Sequence, residues 1–125
     1  MSTPLVGCPE LNHPDSHLYA NRWFLVDQDL QWLTDPALEN VELSFKHAMM
    51  VIRAPGMLRM DIPLDVIEDD DSVRLMVTVG QQQVDVVDEG DLSAVWFSNL
   101  TGRSCRLVKV HPDALIPVFQ APAAI

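Results

Sequence analysis

The chain is written mostly with a period of two. Val41, Leu43 and Phe45 alternate with Glu42, Ser44 and Lys46, and after His47-Ala48 the run Met49-Met50-Val51-Ile52-Arg53 resumes with β-branched character at Val51 and Ile52, so these segments predict a hairpin. Leu58, Met60 and Ile62 alternate with Arg59 and Asp61. Val73, Leu75, Val77 and Val79 share one face while Arg74 and Thr78 take the other, and Val84 and Val86 bracket Asp85. Such alternation sets one side of an antiparallel strand on a core and the other in water. A second hairpin is predicted where the run from Arg22 to Val26 and the run from Leu30 to Thr34 flank Asp27-Gln28-Asp29, a polar turn whose acids can accept from local backbone. Pro36 has no N–H to give a ladder, so the chain must leave the sheet there.

One segment breaks the period. In DLSAVWFSNLTG, Asp91 can cap a first helical turn, Leu92, Val95, Trp96 and Leu100 fall at helical spacing, and Gly102 suits the turn that follows, which predicts one short amphipathic helix in the C-terminal half. A last strand from Cys105 to Val110 ends before His111-Pro112, and the tail APAAI is small and proline-interrupted. Together these predict an all-β fold, a closed or nearly closed antiparallel β-barrel of about 7–8 strands with that one helix, because closure satisfies edge donors that an open sheet leaves unpaired. A β-sandwich is the rival. The expected organisation is a partly ordered N-terminal segment over 1–19, a barrel domain over 20–112 and a flexible tail over 113–125.

Composition narrows the function classes. With 125 residues, 48% of them hydrophobic and 21% charged, the chain suits one domain with a sizeable core and leaves no room for a second catalytic domain. Eight Lys+Arg against 18 Asp+Glu give a net charge of −10, which repels phosphate backbones and argues against nucleic-acid binding. The acidic run Glu68-Asp69-Asp70-Asp71 reads as a solvated loop tip, since adjacent acids do not supply cation ligands spaced around a turn. Cys8 and Cys105 lack the density of a secreted disulfide framework, so a cytoplasmic location is expected. No leader pattern and no apolar run long enough to cross a bilayer is visible, so no membrane association is expected.

Candidate chemistry is sparse. His13 and His17 have a spacing that a helix could use to chelate a metal, but Pro14 lies between them and Asn12, Asp15 and Ser16 favour a turn, so no metal site is assigned. No nucleophile elbow, phosphate loop or HExxH occurs, Ser98 and Ser104 have no histidine nearby in sequence, and the acids single out no carboxylate pair. No catalytic residue is therefore assigned. Trp23, Trp32 and Trp96 read first as core, because each buries a large apolar area. Arg22 differs: a guanidinium at a strand start beside a core aromatic can pack its stem and turn its planar fork outward toward phosphate or carboxylate, the alternative being a surface salt bridge to one of the many acids.

The runs NRWFLVDQDLQWLT, APGMLRMDIPL and DEGDLSAVWFSNLTGRSCRLVKV together resemble the N-terminal β-barrel domain that precedes the catalytic domain of MOSC proteins, the molybdenum-cofactor sulfurase C-terminal superfamily. The resemblance runs from about Ala20 to Val110 and rests on Arg22-Trp23, Val26-Asp27, Thr34, Ala54-Pro55-Gly56, Gly90-Asp91, Trp96, Ser98, Gly102-Arg103 and Arg106-Leu107-Val108 in that order. It implies that Arg22 helps hold the phosphate of the molybdenum cofactor at a domain interface, with Trp23 and Thr34 beside it, and that the barrel shapes a cleft for substrate or partner. Arg103 and Arg106 are the further candidates for partner binding.

Three departures bear on activity. The catalytic MOSC domain, with its molybdenum-ligating cysteine, is absent from this chain. Relatives carry Pro-Val-Lys-Ser-Cys in the first strand, whereas Leu5-Val6-Gly7-Cys8 offers neither the lysine nor the serine. Asp35-Pro36 replaces a Gln-Arg pair and puts negative charge where an anionic ligand is expected. The resemblance thus implies a non-catalytic barrel module that binds a partner, a MOSC-domain or other molybdenum-cofactor protein, or contributes to a cofactor or substrate cleft in trans. Its alternative is an accessory domain that itself binds the pterin phosphate and assists sulfur transfer or reductase chemistry.

Overall fold

The computed structural model describes residues 3–9, 11–64, 74–111, 113–117 and 119. Eight strands are described: β1 (Trp23–Asp27), β2 (Trp32–Leu33), β3 (Glu42–Lys46), β4 (Met49–Arg53), β5 (Met60–Pro63), β6 (Arg74–Val79), β7 (Gln82–Asp88) and β8 (Cys105–Val110). One α-helix, α1 (Asp91–Thr101), lies between β7 and β8. The acidic run 68–71, Val73 and the tail APAAI lie outside the described residues.

The strands form two sheets, one of five in the order β2-β1-β8-β7-β6 and one of three in the order β3-β4-β5, with every neighbour antiparallel. The fold is thus mostly β with one helix, but the closed barrel of about 7–8 strands is corrected: the five-stranded sheet is a curled half-barrel and does not close. Among the described residues its edges β2 and β6 meet at the bridge Gln31–Thr78, where the Thr78 N–H donates to the Leu30 carbonyl at 2.9 Å. The physical reason lies at Asp35-Pro36. The β1–β2 ladder stops after Leu33, Pro36 opens a 3-10 turn over Pro36–Asn40, and β3 starts a separate sheet instead of extending the first.

The edge of β1 that β2 leaves empty is filled from the N-terminus. Leu5 bridges Trp23 in parallel, with the Trp23 N–H donating to the Pro4 carbonyl at 3.2 Å and the Val6 N–H to the Trp23 carbonyl at 2.9 Å. Leu5 is fully buried, so the segment before residue 20 takes part in the core. Gly7 follows at φ 94°, and a Cβ there would stand 2.8 Å from Leu38 Cδ1, which is why this turn takes glycine.

Two cores share one wall. Trp23 and Leu25 of β1 and Cys105 and Leu107 of β8 face sheet β3-β4-β5 and α1, meeting Met50, Ile52, Ile62, Trp96 and Phe97. Phe24 and Val26, with Val108 and Val110, face into the curl against Val77, Val79, Val84 and Val86. Phe119 also packs there, its ring 5.2 Å from Phe24 and 5.1 Å from Trp32, so the tail expected to be flexible from 113 contributes at this residue to the inner core.

Helix α1 presents to the sheet a face other than the expected one. Ser93, Ala94, Trp96 and Phe97 are buried, whereas Leu92 and Val95 are exposed. Asp91 is not its cap: Gly90 precedes the helix without a capping side chain, while Asp88 Oδ1 accepts the Gly90 N–H at 2.9 Å. Gly102 ends it in the left-handed region at φ 73°, donating its N–H to the Ser98 carbonyl at 2.9 Å.

Candidate functional site

Arg22 sits at the mouth of β1, where tight backbone bonds fix its position. Its N–H donates to the Tyr19 carbonyl at 3.3 Å and its carbonyl accepts the Val110 N–H at 2.7 Å. The side chain is half-buried. The sequence holds six arginines, and among the described residues four bond carboxylates: Arg59 to Asp61, Arg74 to Asp85, Arg103 to Asp35, and Arg106 to Asp88 and Asp91. Arg53 makes no such bond among the described residues but adds Coulombic attraction to Asp61. Arg22 has no ion pair or side-chain hydrogen bond among the described residues, so the surface salt bridge that the sequence leaves open for it is not formed there. In a chain with an excess of acids, that places an uncommitted fork of five donors at the rim of the sheet.

Trp23 does not present a surface beside it. The side chain is 0% exposed, its Nε1 donates to Glu89 Oε2 at 3.3 Å, and Lys109 Nζ lies 5.0 Å from its ring centroid. Lys109 is itself buried and donates to the Leu64 carbonyl. Trp23 therefore acts through packing, as the wall behind Arg22, and offers no face to a ligand. Thr34 lies exposed just past β2, and extending the Leu25–Leu33 register by one step brings it level with Phe24. Arg22 and Thr34 thus share one end of the same hairpin, with no hydrogen bond between their side chains.

The acid that sequence reasoning sets against an anion is already engaged. Asp35 Oδ1 accepts the Ala37 N–H at 2.9 Å and Oδ2 lies 3.5 Å from Arg103 Nε. Arg103 is thereby tied to the strand exit rather than free for a partner, although over half of its side chain stays exposed. Arg106 is more firmly held: Nε donates to Asp88 Oδ2 at 2.6 Å and Nη2 to Asp91 Oδ1 at 2.7 Å, and these bonds raise its already high pKa. Both arginines are thus held by acids that Arg22 does not share.

The remaining candidates have structural employment. His13 Nδ1 accepts the Asp15 N–H at 3.0 Å, His17 Nδ1 lies 2.8 Å from the Pro14 carbonyl, and the His13 ring packs edge-on to Phe45. Among the described residues no three His, Cys, Asp or Glu side chains gather as a metal cluster. Cys8 and Cys105 are buried free thiols, and burial pushes the Cys8 thiol up to about 12. Ser98 Oγ donates to the Cys105 carbonyl at 3.2 Å and accepts the Cys105 N–H at 3.1 Å, which staples α1 to β8.

A feature absent from the sequence reading is an open groove of about 480 Å³ between α1, the β1–β2 turn and the start of β8, bounded by Asp27, Asp91, Val95, Asn99 and Arg106. In its wall Val95 is an apolar residue that the helix leaves in water, and Leu92, one turn earlier on the helix, is exposed as well.

Comparison with solved structures finds the solution structure of a protein of Bordetella bronchiseptica, at 47% sequence identity and a TM-score of 0.79, covering 94% of this chain and 95% of that one. No family model and no curated protein matches the chain.

Proposed function

We propose, from the premise that this chain belongs to the family of that Bordetella bronchiseptica protein, that it is a non-catalytic binding module of the MOSC N-terminal type. It binds a partner protein, or contributes the rim of a molybdenum-cofactor or substrate cleft that the partner completes. The observation that carries this reading is Arg22, whose backbone is held at a strand mouth and whose guanidinium has no carboxylate on it among the described residues, in a chain of net charge −10. A free fork of that kind suits a phosphate bidentately. The residues fit the phosphate end of the cofactor through Arg22 and, next along the hairpin, the Thr34 hydroxyl. Asp35 opposes such an anion less than its charge suggests, because Arg103 sits against it. Trp23, fully buried, supports the rim from behind. Oxygen or sulfur transfer at molybdenum would be the bound cofactor's chemistry and would reside in the partner.

The test is affinity capture from host extract with the wild-type chain and with Arg22→Ala. A molybdenum-cofactor protein retained by the former and lost by the latter supports the reading; retention that ignores Arg22, or capture of no such protein, overturns it. The second reading, a chain that holds pterin phosphate unaided, draws on the same open guanidinium. It expects calorimetric binding of molybdopterin that Arg22→Ala abolishes, and a flat wild-type titration removes it.

A further inference from the structure

Helix α1 buries one face and leaves another apolar face in water. Leu92 and Val95 are 80% and 57% exposed, one turn apart along the outer side. Leu58, 85% exposed, belongs to the same neighbourhood, because its carbonyl accepts the Trp96 Nε1–H at 2.6 Å. Val95 also forms part of the wall of the groove beside the helix, and Asp27 and Asp91 stand in that wall with Arg106. The guanidinium there is already shared between Asp88 and Asp91, and the Asp91 side chain is 92% exposed. A partner approaching α1 therefore meets an aliphatic ridge beside carboxylates that outnumber the single cation between them.

We infer that this groove docks a basic, amphipathic segment of a partner protein, with aliphatic side chains on Leu92 and Val95 and a lysine or arginine reaching Asp91 and Asp27. Charge decides the occupant. An acidic segment would meet like charge at both carboxylates, and a second copy of this chain brings another −10. A basic segment gains both the apolar contact and the complementary field, as amphipathic helices do when an i, i+3 or i+4 row lies in a groove. The inference rests on the reading of the chain as a binding module and adds a partner chemistry at a surface separate from Arg22.

The probe is a fluorescent helical peptide of leucine and lysine, with a leucine and glutamate peptide of the same pattern as its counterpart, titrated by anisotropy. The lysine peptide should bind the wild type and weaken as salt rises. Leu92→Ser/Val95→Ser should weaken it by roughly tenfold or more and Asp91→Asn by roughly threefold, as expected for a central apolar anchor and a rim charge. Leu18→Ser, which changes an exposed leucine far from α1 in sequence, should leave it unchanged. All the altered side chains are exposed, so the variants keep the core intact. Equal loss in Leu18→Ser, indifference to Leu92→Ser/Val95→Ser, preference for the glutamate peptide, or a dimer that Leu92→Ser/Val95→Ser dissolves would each overturn the inference. Capture from extract separates its failure from that of the module reading. A partner lost only from Arg22→Ala, with no lysine-peptide binding, sinks the groove alone; a partner lost only from Leu92→Ser/Val95→Ser supports the groove and sinks the Arg22 rim.

Discussion

Replacing Leu5 by alanine tests whether the N-terminal segment is part of what holds Arg22 in place. Leu5 is 0% exposed and shares its cluster with Cys8, Trp23 and Leu38. Truncation removes the equivalent of three CH2 groups from the core, about 0.8 kcal/mol each, or about 2.4 kcal/mol of transfer free energy. The hole cannot close fully, because Trp23 opposite is pinned by its ladder to Lys109 and by its bond to Glu89. The cavity raises the expected loss to about 3–4 kcal/mol. For a chain of this size each kcal/mol moves the midpoint by about 3–5 °C, so the thermal midpoint should fall by about 9–20 °C. Urea unfolding followed by tryptophan fluorescence supplies the free energy, with an unchanged m-value showing that the same surface is exposed. A loss below about 1 kcal/mol would refute the claim that Leu5 fills the edge β2 leaves open.

Two further outcomes follow from ionisable groups. The Asp85 carboxyl is held below its usual range first by the hydrogen bonds from Arg74, with burial opposing, so its stabilisation is present above the ordinary carboxylate range and lost as pH falls through the depressed value. Asp85→Asn should therefore cost at most about 1 kcal/mol at neutral pH, because the pair is partly exposed, and the variant and wild type should converge in acid denaturation curves once the pH falls below the depressed carboxyl; a gap that widens on acidification would refute the assignment. Burial that raises the Cys8 thiol to about 12 leaves almost no thiolate near pH 8, and Cys105 is equally enclosed. A disulfide-exchange reagent should thus titrate both cysteines only after denaturant is added, and rapid reaction of the native protein would contradict the burial.

Much of the β-structure is legible in the alternation of particular residues. Leu43 and Phe45, Met60 and Ile62, Val77 and Val79, and Val84 and Val86 each turn inward as their period requires. The β3–β4 turn is also legible as a break, and His47 and Ala48 take it with φ of 51° and 62°. Closure is not, because a period of two reports which way a side chain points and says nothing about which distant edges will pair. Asp35-Pro36 announces that the ladder ends, yet not that the next strand begins another sheet. The helix face is misread because Leu92, Val95, Trp96, Phe97 and Leu100 admit two overlapping stripes. The structure takes the one containing Ser93 and Ala94, small residues that let α1 lie close on β8, with Ser98 stapled to Cys105. At the site, the exposure of Arg22 could be anticipated from its place at a strand start. Its freedom from carboxylates could not, since ion pairing is decided by which of the many acids the fold brings near. Likewise Arg103 and Arg106 look available in sequence and are found occupied only once Asp35, Asp88 and Asp91 are in place.

Because β1 and β8 are lined with side chains on both surfaces, neither strand has a silent face on which substitutions could drift without consequence. Trp23 and Phe24 are neighbours in the chain yet belong to different interiors, both at 0% exposure. A shift of that partition by one residue would put a phenyl where the indole was on one side and an indole where the phenyl was on the other. Damage to either interior is therefore transmitted to the other through the same backbone, and the two halves of the molecule should melt together in a single transition.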